Sequence, residues 1–198
     1  MKQRATNKEI VQKRAFETRE KILQAALDIY AKKGYHKATV DEIAEHAGVS
    51  TGVAYRYFKN KKELLLAALE YGFSMIKELA GVKVTDVFGR DLEKALIAFE
   101  RIHIEYRDMH EELEGLRHSD PDVGRLYENF TQNAIAEVFR ALPIEIRKKP
   151  NALENLYIAI GIMENYCHFY MHQTMSEEQL LYMRRKTVEL TENLLKGQ

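Results

Sequence analysis

Residues 39–64, TVDEIAEHAGVSTGVAYRYFKNKKEL, limit the folds open to this 198-residue chain more tightly than any other stretch. Thr39 is a good N-cap, and Glu42 three residues later completes a capping box. Val40, Ile43, Ala44 and Ala47 then supply an apolar face at helical spacing. Gly48 follows, at the place where a helix ends in a left-handed residue. Val49 is placed to plug between two helices, and Ser50 caps a second helix over about Thr51 to Tyr57. Ala44 is small, as close packing of two crossing helices requires. Asn60 caps a third helix, with Glu63 at its N3 position.

The second of these helices has an odd composition for a packing element. Gly52 lies in its first turn, where glycine costs roughly 0.5–1 kcal/mol relative to alanine. A bare backbone there permits close approach to another surface. Thr51, Tyr55, Arg56 and Tyr57 all form hydrogen bonds, and Lys59, Lys61 and Lys62 follow at once. Ala54 and Phe58, four apart, are the expected buried side. Val53 then points partly outward, where it can meet a thymine methyl, or inward as simple core. Two short helices about a glycine turn, with the second polar on its outer side, are the pattern of a helix-turn-helix that reads the major groove of DNA.

From about Thr18 to Leu69 the chain resembles the DNA-binding domain of the TetR/AcrR family of transcriptional regulators. The resemblance rests on TREKILQAALDIYAKKGYHKATVDEIAEHAGVSTGVAYRYFKNKKELLLAAL, and above all on IAEHAGVSTG followed by Tyr55, Phe58, Lys61 and Leu64. It implies an all-α fold: a three-helix DNA-binding head, a larger helical body that binds a small molecule, and a homodimer. Position by position, it implies a phosphate contact for Thr39 and base-edge contacts for Thr51, Gly52 and Val53. Tyr55 and Tyr57 would pack on sugar-phosphate, and Lys61 would meet phosphate. Ser50 and Arg56 complete the candidate DNA-binding set. Ala54 departs from the family pattern, where a larger aliphatic residue is usual, and so does Tyr57, where histidine is frequent.

Charge agrees with this division. Formal net charge is zero, yet residues 1–62 hold 14 Lys/Arg against 7 Asp/Glu, and the remainder holds 16 against 23. A basic front attracts phosphate, whereas an acidic body is poorly suited to lie on DNA. The single cysteine, Cys167, forms no disulfide within the chain, as expected in a reducing cytoplasm. It lies on an apolar stripe and reads as packing. MKQRATNKEIVQKRAFE has no apolar stretch and is not a signal peptide, and no run of apolar residues is long enough to span a membrane.

The expected organisation is a basic arm over 1–17, the helix-turn-helix domain over 18–65, and a ligand-binding and dimerisation body over 66–198. The first helix runs from about Thr18 to Lys33, with Ile22, Leu23, Ala26, Ile29 and Tyr30 as its stripe and Gly34 as its stop. The helix from Lys61 continues to about Leu79, and Gly81 to Gly89 is a break. In the body, a helix spans about Asp91 to Met109 with Leu92, Ala95, Leu96, Phe99, Ile102, His103 and Tyr106 inward. A short turn or helix covers 110–117. Pro121 opens a helix to about Ala141, and Pro143 and Pro150 bracket a connector. Asn151 with Glu154, and Ser176 with Gln179, open the last two helices. Leu156, Ile160, Met163, Cys167 and Met171 form a stripe on the first of these. Leu180, Met183, Thr187, Leu190 and Leu194 form one on the second. The resemblance points to these two helices as the homodimer interface.

Phe99, His103, Tyr106, Tyr127, Phe130, Asn165 and His168 are the candidate lining of an effector pocket: aromatics with a few polar groups suit a small apolar or aromatic ligand. His168 and His172 lie four apart, with Glu164 one turn before them. Tetrahedral closure needs a further ligand and there is no cysteine pair, so no metal is assigned and no cofactor is expected. No phosphate-binding glycine loop, GxSxG or HExxH occurs, so the chain reads as a non-enzyme. The expected function is a cytoplasmic, sequence-specific regulator, a repressor released from a palindromic operator by a small ligand. The alternatives are a DNA-binding regulator without a small ligand, and an enzyme or carrier with a vestigial head.

Overall fold

The computed structural model describes residues 7–79, 91–172 and 175–197. Among them the chain is wholly helical: α1 Asn7–Lys33, α2 Val40–His46, α3 Thr51–Tyr57, α4 Lys61–Leu79, α5 Leu92–Glu105, α6 Arg107–Ser119, α7 Pro121–Ala141, α8 Ile144–Arg147, α9 Ala152–His172 and α10 Glu177–Lys196. The chain forms two compact units, one of Met1–Met75 with Asp108–Leu126, the other of Ile76–Arg107 with Tyr127–Gln198. The expected break at Gly81 to Gly89 lies outside the described residues. No helix among those described is long and apolar enough to cross a membrane.

In the first unit, Ile22, Leu23, Ala26 and Tyr30 of α1, Ile43 and Ala44 of α2, Ala54 of α3, and Leu64, Leu65 and Ala68 of α4 are almost completely buried. Burial at these positions supplies the dominant stabilising term. The expected arm over 1–17 is corrected from Asn7 onward, because α1 starts there and not at Thr18. Residues 7–17 contain neither glycine nor proline, and once the packed half of α1 has nucleated, extension adds one bond per residue fixed. The Thr18 hydroxyl donates to the Arg14 carbonyl at 2.8 Å inside this helix, and Lys13 and Glu17 pair at 3.8 Å.

The boundary expected at residue 65 also moves. α4 stays with the head through Met75, and Phe73 is buried. Residues 108–126 join the head through polar ties. The Tyr35 amide donates to Glu112 Oε1 at 2.6 Å, and the Lys62 amine pairs with Asp120. The Lys62 amine holds the Asp120 carboxyl below the usual carboxylate range. Asp120 Oδ1 also caps α7 by accepting from Asp122 N at 3.0 Å and Val123 N at 3.3 Å. The helix expected to reach Met109 ends at Glu105, and the short element expected at 110–117 is the 13-residue α6. Tyr106 leaves the helical region (φ −111°, ψ 23°) beside the point where the chain passes from one unit to the other.

The second unit is built on Leu92, Ala95 and Leu96 of α5, Ile135 and Val138 of α7, Leu156, Met163, Tyr166 and Cys167 of α9, and Leu195 of α10. Within this core lies an ion pair. Glu100, 3% exposed, accepts from Arg184 Nε at 2.8 Å and Nη2 at 2.7 Å, and from the Tyr166 hydroxyl at 2.8 Å. The bidentate fork satisfies a carboxylate that burial would otherwise penalise heavily. Burial pushes the Cys167 thiol well above its ordinary pKa, which makes it a packing group and not a reactive one.

Two local expectations in this unit are corrected. Asn151 does not form a capping box with Glu154, because its backbone is left-handed (φ +55°), whereas an N-cap is extended. On α10 the buried residues are Thr187, Thr191 and Leu195, while Leu190 is exposed. Turning Arg184 toward Glu100 fixes the inward face as 184, 187, 191 and 195, which leaves Leu190 on the other side. The box of Ser176 and Gln179 forms as expected, with Gln179 N to Ser176 Oγ at 3.3 Å and Ser176 N to Gln179 Oε1 at 2.9 Å.

Candidate nucleic-acid interface

The head holds α3 by its two ends. At the N-terminus of α2, Glu42 N donates to Thr39 Oγ1 at 3.2 Å and Thr39 N donates to Glu42 Oε2 at 3.1 Å. α2 closes on Gly48, at φ +69°, whose absent Cβ would meet nothing within 4 Å. The glycine is therefore required by the backbone conformation and not by crowding. Val49 N then donates to Ala44 O at 3.0 Å, which locks the turn. Ser50, extended at φ −76°, ψ 152°, caps α3. Ala54 and Phe58 fall on the buried side of α3, and the Arg19 guanidinium lies 5.5 Å from the Phe58 ring centre.

What remains of α3 faces outward. Gly52, Tyr55 and Arg56 are exposed, and Thr51, Val53 and Tyr57 are half-buried. A Cβ on Gly52 would meet nothing within 4 Å, so a bare stretch of backbone lies open at the start of the helix. The Thr51 hydroxyl is turned back onto α2, donating to Asp41 Oδ1 at 2.6 Å. Reading a base with this hydroxyl requires that bond to exchange. Lys37, Arg56 and Lys59 are exposed and make no ion pair among the described residues. The sequence pattern does not single out Lys37, which lies exposed in the loop before Thr39.

Lys61 sits differently from a free surface lysine. Its amine donates to the His36 carbonyl at 3.1 Å and lies 4.5 Å from the centre of the Tyr35 ring. Desolvation lowers its pKa. It therefore anchors the loop between α1 and α2 as well as standing at the start of α4. Nothing in the spacing of the sequence signals this tie across 25 residues.

In the second unit the candidate effector residues divide. Phe99, His103 and His168 come together, with the Phe99 and His103 rings 4.9 Å apart and those of His103 and His168 5.9 Å apart. Tyr106, Tyr127 and Phe130 are half-buried, while Asn165 is exposed on α9. His103 Nδ1 contacts the Phe99 carbonyl at 2.8 Å, and its Nε2 faces Glu164 Oε1 at 3.2 Å.

A capped glycine turn that presents a polar helix over a buried alanine and phenylalanine defines a helix-turn-helix DNA-binding head. Residues 22–68 match the bacterial regulatory proteins of the tetR family. Among curated relatives, an HTH-type transcriptional regulator of Bacillus subtilis, YerO, is 38% identical over 84 residues, covering 38% of this chain and 29% of its own length. The HTH-type transcriptional activator FasR of Mycolicibacterium smegmatis is 48% identical over 54 residues, 27% of this chain and 25% of FasR. The alignments thus span less than a third of these relatives' lengths. Solved structures extend the likeness to the whole fold. A chain from Mesorhizobium loti assigned to the TetR family superposes with a TM-score of 0.73 at 17% identity, over 93% of this chain and 98% of that one. A Saccharomonospora viridis protein solved in complex with choline superposes at 0.65 and 18% identity, over 89% and 96%.

Proposed function

We propose that this protein is a sequence-specific DNA-binding transcriptional regulator of the cytoplasm, and not an enzyme. The observation that carries the reading is the outward face of α3 (Gly52, Tyr55 and Arg56 over buried Ala54 and Phe58) within a segment matching the tetR family. Thr51, Gly52 and Val53 read base edges, while Thr39, Tyr55, Tyr57 and Lys61 contact the backbone, joined by Arg56. Exposed Lys37 and Lys59 add phosphate attraction around them.

The protein acts as a homodimer on a palindromic operator, since one seven-residue helix reads few bases and a two-fold pair reads two half-sites. Large apolar side chains left exposed on α9 and α10 support pairing through these helices: Tyr157, Ile158, Leu181 and Tyr182. A small effector bound in the body releases the operator by favouring a conformation in which the two heads are mis-spaced for adjacent half-sites. Full release requires roughly 5.5 kcal/mol of discrimination between the two conformations. The choline-bound neighbour supports a ligand-holding body for this fold.

Gel retardation of DNA flanking the gene, at low ionic strength and then with added salt, tests the reading. Retention of one fragment at salt concentrations that release the others is expected. Failure to retard any such fragment overturns it.

A further inference from the structure

We propose that the body unit binds one divalent transition-metal ion, of the zinc class, through His103 of α5 and Glu164 and His168 of α9. Three observations converge on this.

The first is the tautomer of His103. A backbone carbonyl only accepts, so the 2.8 Å contact with Phe99 O places a proton on Nδ1. In the neutral ring Nε2 then presents its lone pair. A ring nitrogen held by a carbonyl on its far side is how proteins orient a metal-binding imidazole.

The second is convergence. His103 Nε2 lies 3.2 Å from Glu164 Oε1, and His168 Nε2 lies 3.5 Å from the same oxygen. The donor atoms of the three residues all fall within 4.8 Å of one another. Donors placed about 2.0–2.1 Å from a tetrahedral zinc stand about 3.3–3.4 Å apart, so the two measured edges match a coordination sphere. With its proton on Nδ1, His103 faces the Glu164 carboxylate favourably only as an imidazolium or with a cation between them, and a divalent ion placed there also meets His168.

The third is the donor set. Two nitrogens and one carboxylate oxygen suit zinc, cobalt or nickel; magnesium and calcium prefer oxygen alone. Three protein ligands fill three positions of a tetrahedral sphere. Glu164 and His168 share one helical face at i and i+4. Spacing along α9 offers no further ligand, which is why no metal is expected from the sequence. His103, 61 residues away from Glu164, supplies one, and His172 is not among the donors that meet there.

A metal at this site rests on the effector end of the proposed function and is tested without DNA, so its failure and that of DNA binding are separable. The full chain, stripped with chelator and dialysed, is titrated with Zn²⁺ by calorimetry and with Co²⁺ by visible absorption. One ion per chain is expected, with Co²⁺ bands of four-coordinate intensity and no competition from Mg²⁺. Losing an outer partner of a metal ligand costs about 10–100-fold in affinity, so losing a ligand itself should cost about 100-fold or more. That loss is expected for His103→Ala, Glu164→Gln and His168→Ala, while His172→Ala keeps the affinity of the parent. Glu164→Gln preserves side-chain volume, so it decides the matter if either histidine variant loses helicity. Absence of stoichiometric Zn²⁺ binding overturns the proposal. So does binding that Glu164→Gln leaves intact, or effective competition by Mg²⁺.

Discussion

The head and the body of this molecule are organised by different means. In the head, the starts of α2, α3 and α4 are each capped by residues three apart: Thr39 with Glu42, Ser50 with Val53, Asn60 with Glu63. In the body, the central polar contact joins Glu100 to Tyr166 and Arg184, 66 and 84 residues away. The head thus uses its polar groups to shape backbone and leaves one helix face free. The body buries a charged cluster that aligns three helices. A surface that docks on DNA needs a rigid frame, and short-range caps of this kind supply one.

The largest expected effect breaks the body while sparing the head. Arg184→Met leaves the Glu100 carboxylate buried without its fork, and removing one partner of a buried pair costs about 3–5 kcal/mol. Denaturant unfolding should show a lower midpoint. The double variant Glu100→Leu with Arg184→Met should recover most of that stability, because no charge then remains to be desolvated. A double variant as unstable as the single one would mean that shape, and not charge, holds α10 in register.

Next in size is recognition. Thr51 and Val53 stand at the outward start of α3, and each should alter base preference by about 1–3 kcal/mol at one operator position when replaced by alanine. Binding of a panel of singly substituted operators measures this. A uniform weakening across the panel would place these residues on the backbone. Arg184→Met, assayed below its unfolding transition, should leave the ranking of the panel unchanged, and a changed ranking would erase the contrast between the two units.

Smaller again are the local frames. Gly48→Ala forces a side chain into a left-handed backbone and should destabilise by about 1–2 kcal/mol, although nothing crowds the position. Gly48→Asn should cost less, since asparagine tolerates that region. Thr39→Ala and Ser176→Ala each remove one side of a capping box and should cost about 1 kcal/mol. The first should also weaken operator binding, since α2 positions α3, and the second should not.

The same contrast governs how much of the molecule is legible in its sequence. α2, α3, the Gly48 turn and the buried pair Ala54 and Phe58 are readable because cap, stripe and stop lie within one turn of each other. The sequence pattern makes α1 too short because residues 7–17 carry no apolar stripe, and only continuity with the packed half makes them helical. The end of α5 at Glu105 is hidden because no glycine or proline marks it. The pairing of Glu100 with Arg184 and the meeting of His103 with Glu164 are not readable, because one-dimensional spacing holds no trace of which helices lie side by side. Leu190 falls on the expected inward stripe for the same reason: the stripe on α10 is ambiguous until Arg184 is known to face Glu100.

The finest test concerns the cations around α3. Each phosphate that the protein ceases to neutralise should lower the slope of log affinity against log salt by about 0.9. Arg56→Ala, at an exposed side chain, should show that change alone, with the melting temperature held. Lys61 is the sharper case. Its ammonium has three donors, and one already goes to the His36 carbonyl, leaving two for a phosphate. Lys61→Ala should therefore lower the salt slope by the same amount and also loosen the loop before α2, lowering the melting temperature of the free protein. Base preference should stay as it was. A fall in melting temperature with an unchanged slope would confine Lys61 to anchoring the loop and shift the phosphate contact to Lys59 or Lys37, both of them exposed.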